Sequence, residues 1–102
     1  MQRNLTPING LVVIDTVQNT DKRGCFSRLF CQLTLSDLLM DKNIVQINHS
    51  ITNQKGALRG LHYQKSPAIE TKLVRCLRGE VFDVAVDLRP ESTTFLHWYG
   101  QI

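Results

Sequence analysis

At 102 residues, with 42% hydrophobic and 21% charged side chains, the chain is the size of one small domain and leaves no room for a separate second one. No apolar run approaches the roughly 18 residues of a membrane span, and Met1-Gln2-Arg3-Asn4 opens no secretory signal, so a cytoplasmic protein without membrane contact is expected. The formal charge of +3 is spread along the chain rather than clustered with aromatics, which favours an anionic small molecule over nucleic acid as the partner.

Taken in order, residues 1 to 10 hold two turn signals, Thr6-Pro7 and Asn9-Gly10, around little else. Leu11 to Val17 reads as a short strand, and Gln18 to Gly24 as a polar loop. Cys25 to Phe30 reads as a second strand, in which strict alternation places Phe26, Arg28 and Phe30 on one face and a bulge sets them apart, an alternative the sequence leaves open. Thr34 to Met40 is the one credible helix: Thr34 or Ser36 caps it, Asp37 suits its first turn, and Leu35, Leu38 and Leu39 form a narrow apolar stripe. Asn43 to Ser50 is rich in β-branched residues and reads as a strand, followed by a loop to Gly56.

Two further apolar runs, Lys72 to Leu77 and Glu80 to Leu88, are separated only by Arg78-Gly79, a two-residue hairpin signal. Pairing Leu77 with Glu80 puts Lys72, Val74 and Cys76 on one face with Val81, Asp83, Ala85 and Asp87. That face sets charge amid small apolar groups, as the lining of a polar pocket would. Phe95 to Ile102 begins another strand, with Trp98 and Tyr99 exposed unless something covers them. Six or seven strands and one short helix make an all-β sandwich or barrel, and an aromatic last strand without a neighbour marks that fold as incomplete. Cys25, Cys31 and Cys76 have no metal-ligand spacing and read as reduced, mostly buried thiols.

The candidate chemistry sits between Gly56 and Arg89. His62 is blandly a rim histidine held by a backbone carbonyl. Its neighbours Arg59 and Lys72 suggest more, because an imidazole near neutral pKa beside fixed cations suits proton removal from a carbon next to a ketone. Arg59 and His62 fall on opposite faces of a regular strand, so a shared pocket needs the bulge that Gly60 permits. Lys72 is either a solvated edge lysine or one paired with Asp83 or a ligand oxygen, and Arg23 either a solvated turn residue or a phosphate clamp. Asp83 and Asp87 read as structural partners for Lys72 and Arg89. Gly56, His62, Gln64, Glu70 and Gly79 loosely echo the first metal motif of the cupin barrels, but Gln64 stands where a second histidine would bind, so no metal is expected.

At these residues a wider resemblance emerges. The segments D-K-R-G-C-F (21 to 26), Q-I-N-H-S (46 to 50), G-A-L-R-G-L-H-Y-Q (56 to 64), K-L-V-R-C-L-R-G-E-V-F-D-V-A-V-D-L-R (72 to 89) and S-T-T-F (92 to 95) closely resemble the dTDP-4-dehydrorhamnose 3,5-epimerases. The resemblance implies a cupin-type jelly roll, dimeric, that works without metal or cofactor. It implies inversion at C3 and C5 of a dTDP-4-keto-6-deoxyhexose by deprotonation beside the C4 ketone and reprotonation from the opposite side. On it, His62 is the general base and Lys72 stabilises the enolate. Arg23 and Arg59 hold the diphosphate and neighbouring groups, and Gln46 and Asn48 lie along the substrate.

Two departures stand out: Arg28 where the family usually has glutamate, and Ile47 where it often has aspartate. The resemblance also places the family's general-acid tyrosine, base-orienting carboxylate and a histidine-bearing strand beyond Ile102. The expectation is therefore a partial single cupin-like domain over residues 1 to 102, with little turnover by itself. The other reading is a non-catalytic module that binds the sugar nucleotide, or a subunit completed by a partner chain.

Overall fold

The structure, a computed structural model, describes residues 1–102. It is all-β apart from one short helix, in the order β1 (Gln2–Leu5), β2 (Val12–Asp15), β3 (Gln18–Asp21), β4 (Gly24–Ser27), α1 (Ser36–Leu39), β5 (Asp83–Val86) and β6 (Trp98–Gln101). The strands form three two-stranded antiparallel sheets, β1–β2, β3–β4 and β5–β6. This agrees with the expected all-β class and with a jelly roll that is incomplete. Several of the individual elements differ from those expected.

Residues 1 to 10 are more than turns. Gln2 pairs with Asp15 and Leu5 with Val12, so the β-branched run of β2 finds its partner at the very start of the chain. The Asn9-Gly10 turn signal holds: Leu11 N donates to the Ile8 carbonyl at 3.0 Å, and Gly10 takes a φ of 84°, which a side chain would resist. Thr6 braces the same loop. Its hydroxyl donates to the Leu11 carbonyl at 2.9 Å and accepts from Ile8 N at 3.2 Å, and Ile8 is buried within it.

The expected polar loop at Gln18 to Gly24 is instead one arm of a hairpin, with Asp21 opposite Gly24 and Gln18 opposite Ser27. Polar side chains do not prevent pairing when the turn is well specified. Asp21 Oδ1 accepts the Arg23 backbone N–H at 2.8 Å, an Asx turn that closes the two-residue Lys22-Arg23 connection. The strand expected from Cys25 to Phe30 is correspondingly short and ends at Ser27.

The helix is shorter than Thr34–Met40 and its cap differs. Leu35 occupies the N-cap position without a side-chain cap bond, while Asp37 lies in the first turn. Leu35 is buried, and Arg3 pairs with Asp37 and donates to the Thr34 carbonyl, so α1 is tied to β1 by charge rather than capped locally.

The largest difference concerns the long middle segment. Neither Asn43 to Ser50 nor Lys72 to Leu77 is a strand, and the expected hairpin at Arg78-Gly79 does not form. Only Asp83–Val86 of the second run is extended and paired, and its partner is β6, with Val86 opposite Trp98 and Asp83 opposite Gln101. The reason is local: Asp87 closes this pair from within the intervening turn. Asp87 N donates to the His97 carbonyl at 2.9 Å and Leu96 N to the Asp87 carbonyl at 2.7 Å. The three cysteines are free thiols and less buried than expected, Cys25 and Cys76 being exposed and Cys31 half-buried. The radius of gyration of 15.5 Å exceeds the roughly 13 Å of a compact domain of this length, so the three sheets do not close into one sandwich.

Candidate functional site

Arg23 sits at the tip of the β3–β4 hairpin. Its position follows from turn chemistry: Asp21 grips its backbone N–H and, through Nη2 to Oδ2 at 2.6 Å, its guanidinium. The arginine side chain is 90% exposed, so one face of its donor fork stays available to an incoming anion. The pairing holds the Asp21 carboxyl below the usual carboxylate range and raises Arg23.

Gln46 and Asn48 stand two residues apart, the spacing that puts side chains on one side of an extended chain, and Gln46 Nε2 donates to Asn48 Oδ1 at 3.2 Å. Arg59 donates from Nε and Nη2 to Thr52 Oγ1, both at 3.3 Å, which arches the loop around Gly56 back on itself. His62 is exposed and makes no side-chain hydrogen bond. Its Nδ1 would lie 3.7 Å from a Cβ at Gly60, whose φ of 108° excludes most side chains in any case.

Lys72 Nζ pairs with Glu70 Oε1 at 2.9 Å, and the two side chains are 50% and 39% exposed. The expected partner Asp83 is not involved. Sequence reasoning passed over Glu70 in favour of a cross-strand carboxylate, yet the signal was plain, since an extended chain puts residues two apart on the same side. Of the six predicted site residues, hydrogen bonds join only Gln46 to Asn48. Arg23, Arg59, His62 and Lys72 each stand in a separate local setting.

The most completely satisfied polar group lies elsewhere. Asp87 is 4% exposed, and its carboxylate accepts from Arg89 Nε and Nη2, both at 2.8 Å, from Ser92 Oγ at 2.6 Å and from Thr94 Oγ1 at 2.7 Å. Arg89 first, then the Ser92 and Thr94 hydroxyls, hold this carboxyl far below the ordinary carboxylate range against the opposing effect of burial. The sequence pairing of Asp87 with Arg89 is thus observed. The hydroxyls five and seven residues on went unread, although a carboxylate followed by S-T-T at that distance is a turn signal. Half-exposed Arg89 reaches past it toward Gly10 and, with Asn9, Glu91, Ser92 and Thr93, lines an open cleft of about 380 Å³.

A second cleft of about 210 Å³ lies against the β3–β4 hairpin, lined by Met1, Val17, Asn19, Phe26, Arg28 and Thr34. Arg28, one residue past the end of β4, shares this cleft with Phe26. Nearby, the Cys31 thiol is drawn below its usual pKa, chiefly by hydrogen bonding to Thr34 and more weakly by the charge of Arg28. Neither cleft includes His62 or Lys72. No group of three histidine, cysteine, aspartate or glutamate side chains is drawn together in metal-binding geometry, and no helix is long and apolar enough to cross a membrane.

Chemically, the chain presents an unpaired imidazole, a half-exposed ammonium, two arginines with spare donors and, apart from these, one amide pair. These are groups for holding an anion and moving a proton. Comparison with known proteins gives that inventory a context. Residues 5–102 match the protein family described as dTDP-4-dehydrorhamnose 3,5-epimerase. A relative of that name from Salmonella typhimurium is 45% identical over 96 residues, which is 93% of this chain and 52% of the relative. One from Methanothermobacter thermautotrophicus is 41% identical over 95 residues, 93% of this chain and 50% of the relative. One from Pseudomonas aeruginosa is 48% identical over 82 residues, 79% of this chain and 44% of the relative. The chain spans about half the length of the curated relatives it matches. No solved structure matches it.

Proposed function

Because the chain belongs to the dTDP-4-dehydrorhamnose 3,5-epimerase family, we propose that it carries the proton-abstracting half of that activity, acting on a dTDP-4-keto-6-deoxyhexose in the cytoplasm as part of a homodimer. In this reading the His62 imidazole removes the proton at C3 or C5, made acidic by the neighbouring C4 ketone. Lys72 places its ammonium by the oxygen that becomes an enolate, exchanging Glu70 for that oxygen as substrate enters. Arg23 and Arg59 take the diphosphate, and the Gln46–Asn48 pair lies along the sugar. No metal or cofactor takes part.

The observation that carries the proposal is the family match across residues 5–102, which spans all six of these residues. Three features of the chain support it. His62 is exposed and makes no side-chain hydrogen bond, so a ring nitrogen is open to take a proton. Arg23 is fixed by Asp21 with its outer donors open. Lys72 is held by a carboxylate that a ligand oxygen can replace.

The test is to incubate the chain with the 4-keto sugar nucleotide in heavy water and to follow deuterium at C3 and C5. The proposal expects slow incorporation, lost in His62→Ala and reduced at least tenfold in Lys72→Met. A second reading, a module that binds the sugar nucleotide without chemistry, is favoured by the separate settings of His62 and Lys72. It expects binding that depends on Arg23 and Arg59, with no incorporation above the solvent rate. Absence of both binding and exchange would defeat the two readings together.

A further inference from the structure

Of the asparagines in the chain only Asn9 is followed by glycine; Asn4, Asn19, Asn43, Asn48 and Asn53 precede leucine, threonine, isoleucine, histidine and glutamine. The difference is chemical. A backbone nitrogen can attack the side-chain carbonyl carbon of the asparagine before it, and a side chain on the attacking residue obstructs the approach. Glycine offers no such obstruction.

The fold leaves both reacting groups open. Asn9 is exposed, its carboxamide makes no hydrogen bond, and the Gly10 N–H has no acceptor. The turn is closed around them rather than through them. Leu11 N donates to the Ile8 carbonyl at 3.0 Å, and the Thr6 hydroxyl binds Ile8 and Leu11 but neither Asn9 nor Gly10. Elsewhere the amides are engaged or held in strands: Asn4 donates to Asp15 Oδ2 at 2.6 Å, Asn48 accepts from Gln46, and Asn19 lies within β3.

A cation stands beside this pair. Asp87 takes Arg89 Nε and Nη2, and the remaining Nη1 lies 3.8 Å from where a Cβ on Gly10 would be. Asn9 and Arg89 line one cleft with Glu91, Ser92 and Thr93. A fixed positive charge here favours the anionic nitrogen that attacks and the oxyanion that forms on the Asn9 carbonyl. Of the two nearby carboxylates, Asp87 is already matched by Arg89 and two hydroxyls. Glu91 opposes the effect from the cleft wall, but Nη1 is the charge placed against Gly10.

We propose that Asn9-Gly10 is a self-modification site whose product is a carboxylate held against Arg89. The Gly10 nitrogen gives up its proton and bonds to the Asn9 side-chain carbonyl carbon. The carboxamide C–N bond breaks, and ammonia leaves with that proton, closing a cyclic imide. Water then opens the imide at either carbonyl. One opening gives aspartate at position 9; the other gives isoaspartate, in which the backbone runs through the former side chain and gains a carbon. Either product lowers the formal charge of +3 by one, and Arg89 Nη1 is the donor that receives the new carboxylate. Isoaspartate also lengthens the connection that sets Leu5 opposite Val12, so the β1–β2 register is lost at that end. None of this depends on the roles proposed for His62 and Lys72.

The test incubates the full 102-residue chain at neutral and mildly alkaline pH and follows position 9 by peptide mapping, with an isoaspartate methyltransferase to count isoaspartate. A synthetic peptide of residues 4 to 13 is the unfolded reference. Asn9 should convert at least tenfold faster than any other asparagine, faster as pH rises, and at least as fast as in the peptide. Asn9→Gln should abolish methyl acceptance at this position. In Asn9→Asp the new carboxyl should titrate below the ordinary carboxylate range by NMR, with the Arg89 guanidinium resonances shifted. Slower conversion in the chain than in the peptide would overturn the proposal, because the turn would then be protecting the pair. So would faster conversion at another asparagine, or a carboxyl in Asn9→Asp that titrates as it does in the correspondingly substituted peptide.

Discussion

Residues 83 to 101 and residues 43 to 82 are made of similar material and end in opposite states. Both carry several valines and leucines, yet the first closes into a registered two-stranded unit and the second makes two backbone hydrogen bonds in 40 residues. The difference is a polar one. In the first, Asp87 gathers Arg89, Ser92 and Thr94 from the connecting turn and fixes where Val86 meets Trp98. In the second no buried carboxylate organises a turn, and the apolar side chains have nothing to lie against. Apolar strands need a neighbour to become strands, and a turn with its own hydrogen-bond network supplies that neighbour locally.

Removing the network should break the contrast most strongly. Asp87→Ala leaves the Ser92 and Thr94 hydroxyls without their acceptor, and amide protection at Asp87 and Leu96 should fall about 10- to 100-fold by hydrogen exchange, toward that of residues 43 to 82. Acid should do the same without mutation. The Asp87 carboxyl is depressed in the folded chain, so its contribution is fully present above the ordinary carboxylate range and is lost as pH falls below about 4. Protection of residues 83 to 101 should therefore be flat from pH 7 to 5 and decline in stronger acid, while exchange in residues 43 to 82 follows only the intrinsic rate.

A smaller effect is expected from Ser92→Ala, which removes one of several donors to Asp87. Protection at Leu96 should drop about threefold to tenfold, and Thr94→Val should behave alike. Gly100→Ala comes next. A Cβ there would meet the edge of the Phe82 ring, but that ring is 62% exposed and can swing aside, so the β5–β6 register should survive with only the Phe82 ring resonances shifted. Arg23→Ala should move the unfolding midpoint least, by less than about 2 °C, because its pairing with Asp21 is at the surface. It should nevertheless weaken sugar-nucleotide binding at least tenfold if the arginine holds the diphosphate.

The contrast also explains what the sequence disclosed. The all-β class, the Asn9-Gly10 turn, the Asp87–Arg89 pair and the family could be read from residue order, because each is encoded within a few positions or in motifs kept in sequence. Strand β1 was not legible, since Gln2–Leu5 has no alternation and becomes a strand only through Val12–Asp15. The Arg78-Gly79 hairpin was overread: two apolar runs flanking a glycine do not pair when Asp87 offers the second run a better-specified partner ten residues on. For His62, Lys72, Arg23 and Arg59 the residues themselves offered a chemical role beside a bland one, and the roles proposed for them and for Gln46 and Asn48 rest on the resemblance, because a shared pocket depends on distant segments meeting, which local spacing does not encode.

The most direct measurement is residue-resolved amide hydrogen exchange on the unmodified chain alone at neutral pH. The account predicts clear protection across Asp83–Val86 and Trp98–Gln101, with residues 43 to 82 exchanging near the rate of an unstructured peptide. Equal protection in both regions, in the absence of any partner polypeptide, would contradict it.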